Sequence, residues 1–110
     1  MLCKSRDKIE AGEYGSNYVY FYDKDNQPKG EFTIQDRYIF DLRIYEEYRG
    51  QGYGNQMIKE ITKLYYNKPN SPLTLGVLKS NKVALHLYLK YGFKIYAENS
   101  EVYWMKYEGR

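Results

Sequence analysis

Across a short glycine-rich segment the apolar residues of this chain change their period, and that change sets where a strand gives way to a helix. Upstream, Tyr38-Ile39-Phe40-Asp41-Leu42-Arg43-Ile44 has the aromatic and β-branched make-up of a strand. From Tyr53 onward Met57, Ile58, Ile61, Leu64 and Tyr65 recur at helical spacing, until Lys68-Pro69-Asn70-Ser71-Pro72 stops the pattern. Between the two lies Arg49-Gly50-Gln51-Gly52-Tyr53-Gly54. Strand, glycine loop and helix therefore follow one another directly.

The rest of the chain builds around that unit. Residues 17 to 23 read as a strand, Lys24-Asp25-Asn26-Gln27-Pro28-Lys29-Gly30 as a dense turn signal, and Glu31-Phe32-Thr33-Ile34-Gln35 as the return strand of a hairpin. Leu73-Thr74-Leu75-Gly76-Val77-Leu78 is a short apolar run suited to a strand buried on both faces. A second helix begins near Ser80 or Asn81, carries Ala84, Leu87, Tyr88 and Tyr91 on one face, and ends at Gly92. Phe93 to Ala97 and Val102 to Tyr107 close the chain as a strand pair. The order is β-β-β-α-β-α-β-β, an α+β sheet with two packed helices.

A chain of 110 residues with 43% hydrophobic content fits a single domain spanning residues 1–110. Its net charge of +3 is too small to argue for a nucleic-acid partner, yet it is compatible with a small anionic ligand. Cys3 is the only cysteine, so no disulfide forms within the chain, and its place near the terminus gives it no evident role. The polar opening lacks the apolar core of a signal peptide and no later run reaches membrane-spanning length, so a cytoplasmic setting and no membrane partner are expected. The 15 tyrosines fall mostly in strand-like runs such as Tyr18, Tyr20 and Tyr22, where they suit a half-buried pleated face. Stacking of single-stranded nucleic acid on those rings is the competing use, but it leaves the glycine loop unexplained.

A glycine loop that opens a helix is an anion site in waiting. Its free backbone N–H groups point at whatever sits above the helix start, glycines let the backbone approach oxygen atoms closely, and Arg49 adds charge. The nucleoside-triphosphate pattern Gly-x-x-x-x-Gly-Lys-Ser/Thr is absent. A dinucleotide fingerprint requires an acidic residue about 20 positions on, where this chain has Asn70 to Thr74. What the loop resembles is the acyl-CoA signature of the GNAT superfamily of N-acetyltransferases, Arg/Gln-x-x-Gly-x-Gly/Ala, matched by Arg49, Gly52 and Gly54. A second stretch, Asn81-x-x-Ala84-x-x-Leu87-Tyr88-x-x-x-Gly92-Phe93, is similar to that family's second segment, and Leu42-x-Ile44-x-x-x-Tyr48 resembles its approach strand.

The resemblance covers roughly residues 17 to 107 and implies a GNAT-like mixed, mostly antiparallel sheet, acetyl-CoA as cofactor, and direct transfer to an amine, protein or small molecule. It implies that Arg49, Gly50, Gln51, Gly52, Tyr53 and Gly54 hold the pyrophosphate and that the main chain of Leu42 and Ile44 pairs with the pantetheine amides. Asn81 would contact the pantetheine arm or order its strand, and Tyr88 would give a proton to the departing thiolate. From the residues alone Asn81 reads equally as a helix cap and Tyr88 as a core aromatic.

One family feature is missing. Many members place a glutamate on the strand before the loop, but the positions here are Tyr38, Phe40, Asp41 and Arg43. Asp41 is the candidate base or amine anchor, with Asp36 and Glu47 behind it, while His86 is expected on a different side of its helix from Tyr88. Residues 1 to 16 are too short for the first strand and the helices that wall the acceptor site in similar enzymes. An open acceptor groove, or a homodimer that completes it, is the expectation, and a catalytically idle CoA-binding module is the alternative.

Overall fold

Among the described residues seven strands form one sheet, in the spatial order β1-β2-β3-β4-β5-β7-β6. They are β1 (Leu2–Lys4), β2 (Asn17–Tyr22), β3 (Pro28–Gln35), β4 (Tyr38–Ile44), β5 (Thr74–Leu78), β6 (Phe93–Glu98) and β7 (Val102–Tyr107). Helix α1 (Tyr53–Leu64) joins β4 to β5, and helix α2 (Lys82–Lys90) joins β5 to β6. The computed structural model describes residues 2–4, 17–65 and 71–109. Every neighbouring pair is antiparallel except β4 with β5, so the sheet is mixed and mostly antiparallel, as expected. The stop signal at Lys68 to Asn70 lies outside the described residues.

Strand alternation divides the sheet into two unlike faces. Val19, Phe21, Phe32, Ile34, Ile39, Leu75, Val77 and Met105 point to one face and are buried in one cluster with Met57, Ile58 and Ile61 of α1 and Tyr88 of α2. Tyr18, Tyr20 and Tyr22 alternate with that set and are half-buried, which accounts for the tyrosine-rich strands. Each buried aliphatic or aromatic side chain contributes about 1.5–3 kcal/mol, so the shared cluster holds both helices to the sheet.

Four boundaries and faces differ from expectation. Leu2–Lys4 pairs antiparallel with β2, a strand that three residues without alternation do not announce. β3 starts at Pro28 rather than Glu31, because Pro28 already pairs with Tyr22 and the turn is confined to the residues before it. β5 buries Leu75 and Val77 fully but leaves Thr74 and Gly76 half-buried, since the helices cover one face and Trp104 and the Tyr38 hydroxyl approach Gly76 on the other. Leu64 keeps the helical period yet is 64% exposed at the end of α1.

The helix ends follow local chemistry. The Asn81 side-chain oxygen accepts a hydrogen bond from the Ala84 N–H at 3.2 Å and caps α2, and Gly92, at φ 98°, ends it. At the far end of α1 the Arg37 guanidinium donates to the carbonyls of Tyr65 and Ser71, tying the helix C-terminus to the approach of β5.

Candidate functional site

The site begins with a fault in β4. Glu31 pairs with Arg43 and Thr33 with Phe40, so Asp41 and Leu42 together oppose Phe32 alone. This is a bulge, and Asp41 takes it at φ 55°, a conformation that aspartate tolerates better than most residues. The extra residue has a clear consequence for β4: Ile44 stays on the helix-covered face with Ile39, and Arg43 stays on the tyrosine face with Phe40.

Beyond the bulge the sheet opens. β4 and β5 are in register only at Tyr38 with Thr74 and Ile39 with Leu75, after which they part. The Tyr45 N–H donates to the Lys29 carbonyl on β3 at 2.9 Å, so alternation turns the main-chain groups of Ile44 and Leu42 the other way, into the gap. Beside β4, past the point where it leaves β5, opens a cleft of about 690 Å³, a size typical of small-molecule sites. Its walls are Leu42 to Ile44 on one side, the glycine loop below, and Asn81, Ala84, Leu87 and Tyr88 on the other.

The loop is held open by backbone conformation and by a buried cation. Gly50 at φ 77° and Gly52 at φ 86° occupy the left-handed region, and Gly52 is the N-cap of α1 without any side-chain cap. The first helical hydrogen bond runs from the Gln56 N–H to the Gly52 carbonyl at 3.2 Å, which leaves the N–H groups of Tyr53, Gly54 and Asn55 without helical acceptors. Beneath them Lys29 is 1% exposed, bonded to Asp25 at 2.7 Å and placed 4.1 Å from the ring centre of Tyr48. Burial alone would push the Lys29 ammonium down, but the Asp25 hydrogen bond and charge outweigh it and hold its pKa above the ordinary value. Tyr48 in turn meets Tyr53 edge-on at 6.1 Å, so this stack fixes the residues that flank the glycines.

Arg49 uses its Nε on the Ile44 carbonyl at 3.0 Å and lies along the cleft. Gln51 turns back, its amide donating to the Glu47 carbonyl at 3.3 Å, and its side chain is not among those lining the cleft. Gly54 sits where α1 crosses α2: a methyl group there would lie 3.5 Å from Leu87, an ordinary contact.

Tyr88 of α2 stands in the wall of this cleft. It is 5% exposed, packed edge-on against Phe93 at 5.9 Å, and burial pushes its phenol up to about 12. Among the described residues its hydroxyl has no hydrogen-bond partner, and it lines the cleft. The ring is buried but the hydroxyl opens to the cleft, where it can bond to a ligand atom.

The acidic candidates are placed elsewhere. Asp41 is exposed and lines a second hollow, of about 410 Å³, shared with Tyr18, Glu31, Thr33, Leu42 and Arg43. Asp36 lies in the β3–β4 turn at φ 49°, at the opposite end of β4 from the loop, and Glu47 is exposed in a 3-10 turn over Glu46–Tyr48. His86 lines the same cleft as Tyr88 as an exposed rim residue, together with Val83 and Lys90. That rim stripe was readable as 83, 86, 87 and 90, one face of a helix. Glu31 went unnoticed in the sequence because it alternates with Phe32 and reads as a solvent position.

The sheet thus parts between its two parallel strands, and the cleft beside β4 has the start of a helix at its base and Tyr88 in its wall. Residues 11–93 match the acetyltransferase (GNAT) family, and the chain belongs to that family. It is 33% identical over 78 residues to thialysine N-epsilon-acetyltransferase of Mus musculus, covering 71% of this chain and 46% of the relative. The Bos taurus protein of the same name is 36% identical over 72 residues, 66% of this chain and 42% of that one. The chain thus spans less than half the length of these curated relatives. In fold it is similar to spermidine N-acetyltransferase from Vibrio cholerae in complex with CoA and spermine, with a TM-score of 0.71, 20% identity, and 94% and 75% of the two chains covered. A GNAT family acetyltransferase from Elizabethkingia anophelis with acetyl-CoA bound gives a TM-score of 0.69 at 20% identity, over 94% and 83% of the chains.

Proposed function

We propose that this chain transfers the acetyl group of acetyl-CoA directly to a primary amine within a ternary complex. The Tyr88 hydroxyl, protonated, carried on a buried ring and reaching the cleft without a partner among the described residues, is the observation that carries this reading. The names of the similar proteins, thialysine N-epsilon-acetyltransferase and spermidine N-acetyltransferase, support an amine as acceptor.

The residues present suit the cofactor. The N–H groups of Tyr53, Gly54 and Asn55, with Gly50, Gly52 and Arg49 around them, would receive the pyrophosphate. The main-chain groups of Leu42 and Ile44 would pair with the pantetheine amides in the way an added strand would, and Asn81 borders the same space. Acetyl-CoA supplies an activated thioester. Asp41, across the bulge, is proposed to take the first proton from the ammonium and pass it to solvent, which frees the amine to attack. The carbon–sulfur bond breaks as the carbon–nitrogen bond forms, Tyr88 protonates the leaving sulfur, and the proton that the nitrogen sheds on becoming an amide restores Tyr88.

A release assay for free thiol, run with acetyl-CoA and an amine panel that includes spermidine and thialysine, tests the reading. Thiol should appear in step with acetylated product by mass spectrometry. Among the described residues no carboxylate lines the cleft, and this favours one competitor, a module that binds CoA without turnover. CoA binding without thiol release for any amine would select it.

The two glycines of the motif separate backbone strain from packing. Gly52→Val forces a β-branched residue into the left-handed region, and the strain, about 1–3 kcal/mol, displaces the N–H groups of the helix start. CoA affinity measured by calorimetry is expected to fall about 10-fold or more. Gly54→Ala, which adds only an ordinary contact with Leu87, should stay within about 2-fold. Equal affinities in the two variants would remove the loop from the cofactor site.

A further inference from the structure

We propose that the acceptor enters from the tyrosine face through the second hollow, and that Glu31 there binds a second positive charge on it, making a diamine the preferred acceptor. The proposal rests on the acetyl-transfer reading above. It starts from how the two cavities meet: both are lined by Leu42 and Arg43, so the bulge of β4 is the wall between them. An amine that reaches the bulge from the hollow arrives on the side of β4 opposite the helices.

Glu31 makes that hollow selective. It is 9% exposed, although it carries a carboxylate on a strand with no charged neighbour in sequence except Lys29. Its two contacts fall on the same atom: the Tyr45 hydroxyl donates to Oε1 at 2.8 Å, and Arg43 Nη2 lies 3.5 Å from Oε1. Oε2 has no partner among the described residues. A carboxylate offers about four lone-pair positions, and among the described residues no buried side-chain oxygen lacks a partner, so Oε2 is open to the hollow and to a donor that enters it. The Arg43 side chain is 60% exposed, and a loose, solvent-screened guanidinium competes weakly for that oxygen. Tyr45 is held neutral by burial and by Glu31 itself, so it donates a hydrogen bond without supplying charge. Asp41 gives the hollow a second carboxylate at the bulge, beside the reacting end. Two carboxylates facing one loosely held cation suit an acceptor with two ammonium groups: one deprotonates for transfer near Asp41, and the other stays charged on Glu31.

Diaminobutane and butylamine differ only by the second ammonium and serve as the probes. The native chain should favour diaminobutane in kcat/KM by about 10-fold or more, with the difference carried by KM. Glu31→Gln should bring the ratio to about 1 by raising the diamine KM. Glu31→Asp, which keeps the charge, should retain a ratio above that of Glu31→Gln. Equal efficiency for the two amines in the native chain overturns the proposal, as does an unchanged ratio in Glu31→Gln. A uniform loss with both amines in both variants marks Glu31 as structural and overturns it as well. Absence of thiol release with either amine would instead overturn the acetyl-transfer reading, whereas transfer without diamine preference leaves that reading standing.

Discussion

Tyr88→Phe is expected to lower kcat for acetyl transfer by about 100-fold while leaving CoA affinity and thermal stability close to native. The reason lies in what the hydroxyl does not touch. Because it has no partner among the described residues, its removal leaves no buried group unsatisfied, and the ring keeps its packing against Phe93. Only the proton for the departing sulfur is lost. The pH profile carries the same signature. Burial raises the phenol from 10.0 to about 12, so the proton stays on Tyr88 while an ordinary alkylamine loses its own. The native rate should therefore climb with pH to about 10 with no descending limb from this group. The shift also ties stability to pH: the unfolded tyrosine ionises first, so the stabilisation present below a pH near 10.0 is lost as pH rises toward 12. Unchanged turnover in the variant would take the phenol out of proton transfer. A loss of CoA affinity as large as the loss of rate would make it a binding residue.

How much of this was legible in the sequence depends on whether a feature resides in composition or in register. The order of elements and the α+β sheet were legible, because Met57, Ile58 and Ile61 repeat at one period and Val19 and Phe21 at another. The glycine loop was legible as a helix start with free N–H groups, whereas Tyr88 reads from the residues alone as a core aromatic and is singled out only by the family resemblance. The bulge was not. One extra residue in β4, between Phe40 and Arg43, changes no composition, yet it decides which face Arg43 and Ile44 occupy. Lys29 was hidden for a related reason. It stands among turn residues, and its burial depends on Tyr48 and Tyr53, which meet it only after the loop has folded back. Glu31 was hidden because its partners, Arg43 of β4 and Tyr45 just past its end, are placed by a register that the sequence does not announce.

Gly30→Ala is expected to destabilise the fold by about 3 kcal/mol or more, lowering Tm by roughly 10 °C or more. Gly30 is paired on both sides, with Phe21 of β2 and Ile44 of β4, and it lies directly under α1. A methyl group at this position would collide with the Arg43 carbonyl, meet Met57 Cε at 2.7 Å and meet Ile44 Cδ1 at 2.9 Å. The two side chains can move by a few tenths of an ångström, but the carbonyl belongs to a strand fixed by its ladder. Relief requires β4 to shift, and β4 just past its bulge carries the main-chain groups that line the cleft. The effect on function should therefore exceed the effect on folding when both are measured below the melting transition: CoA affinity should drop even in the fraction that stays folded. Gly76→Ala is the control, since the atoms a methyl would meet there are the Tyr38 hydroxyl at 2.6 Å and the Trp104 indole at 3.4 Å, both ends of side chains that can yield. Thermal denaturation of the two variants decides the matter. A Gly30→Ala protein that melts within a few degrees of native would show that β3 and β4 do not need this close approach.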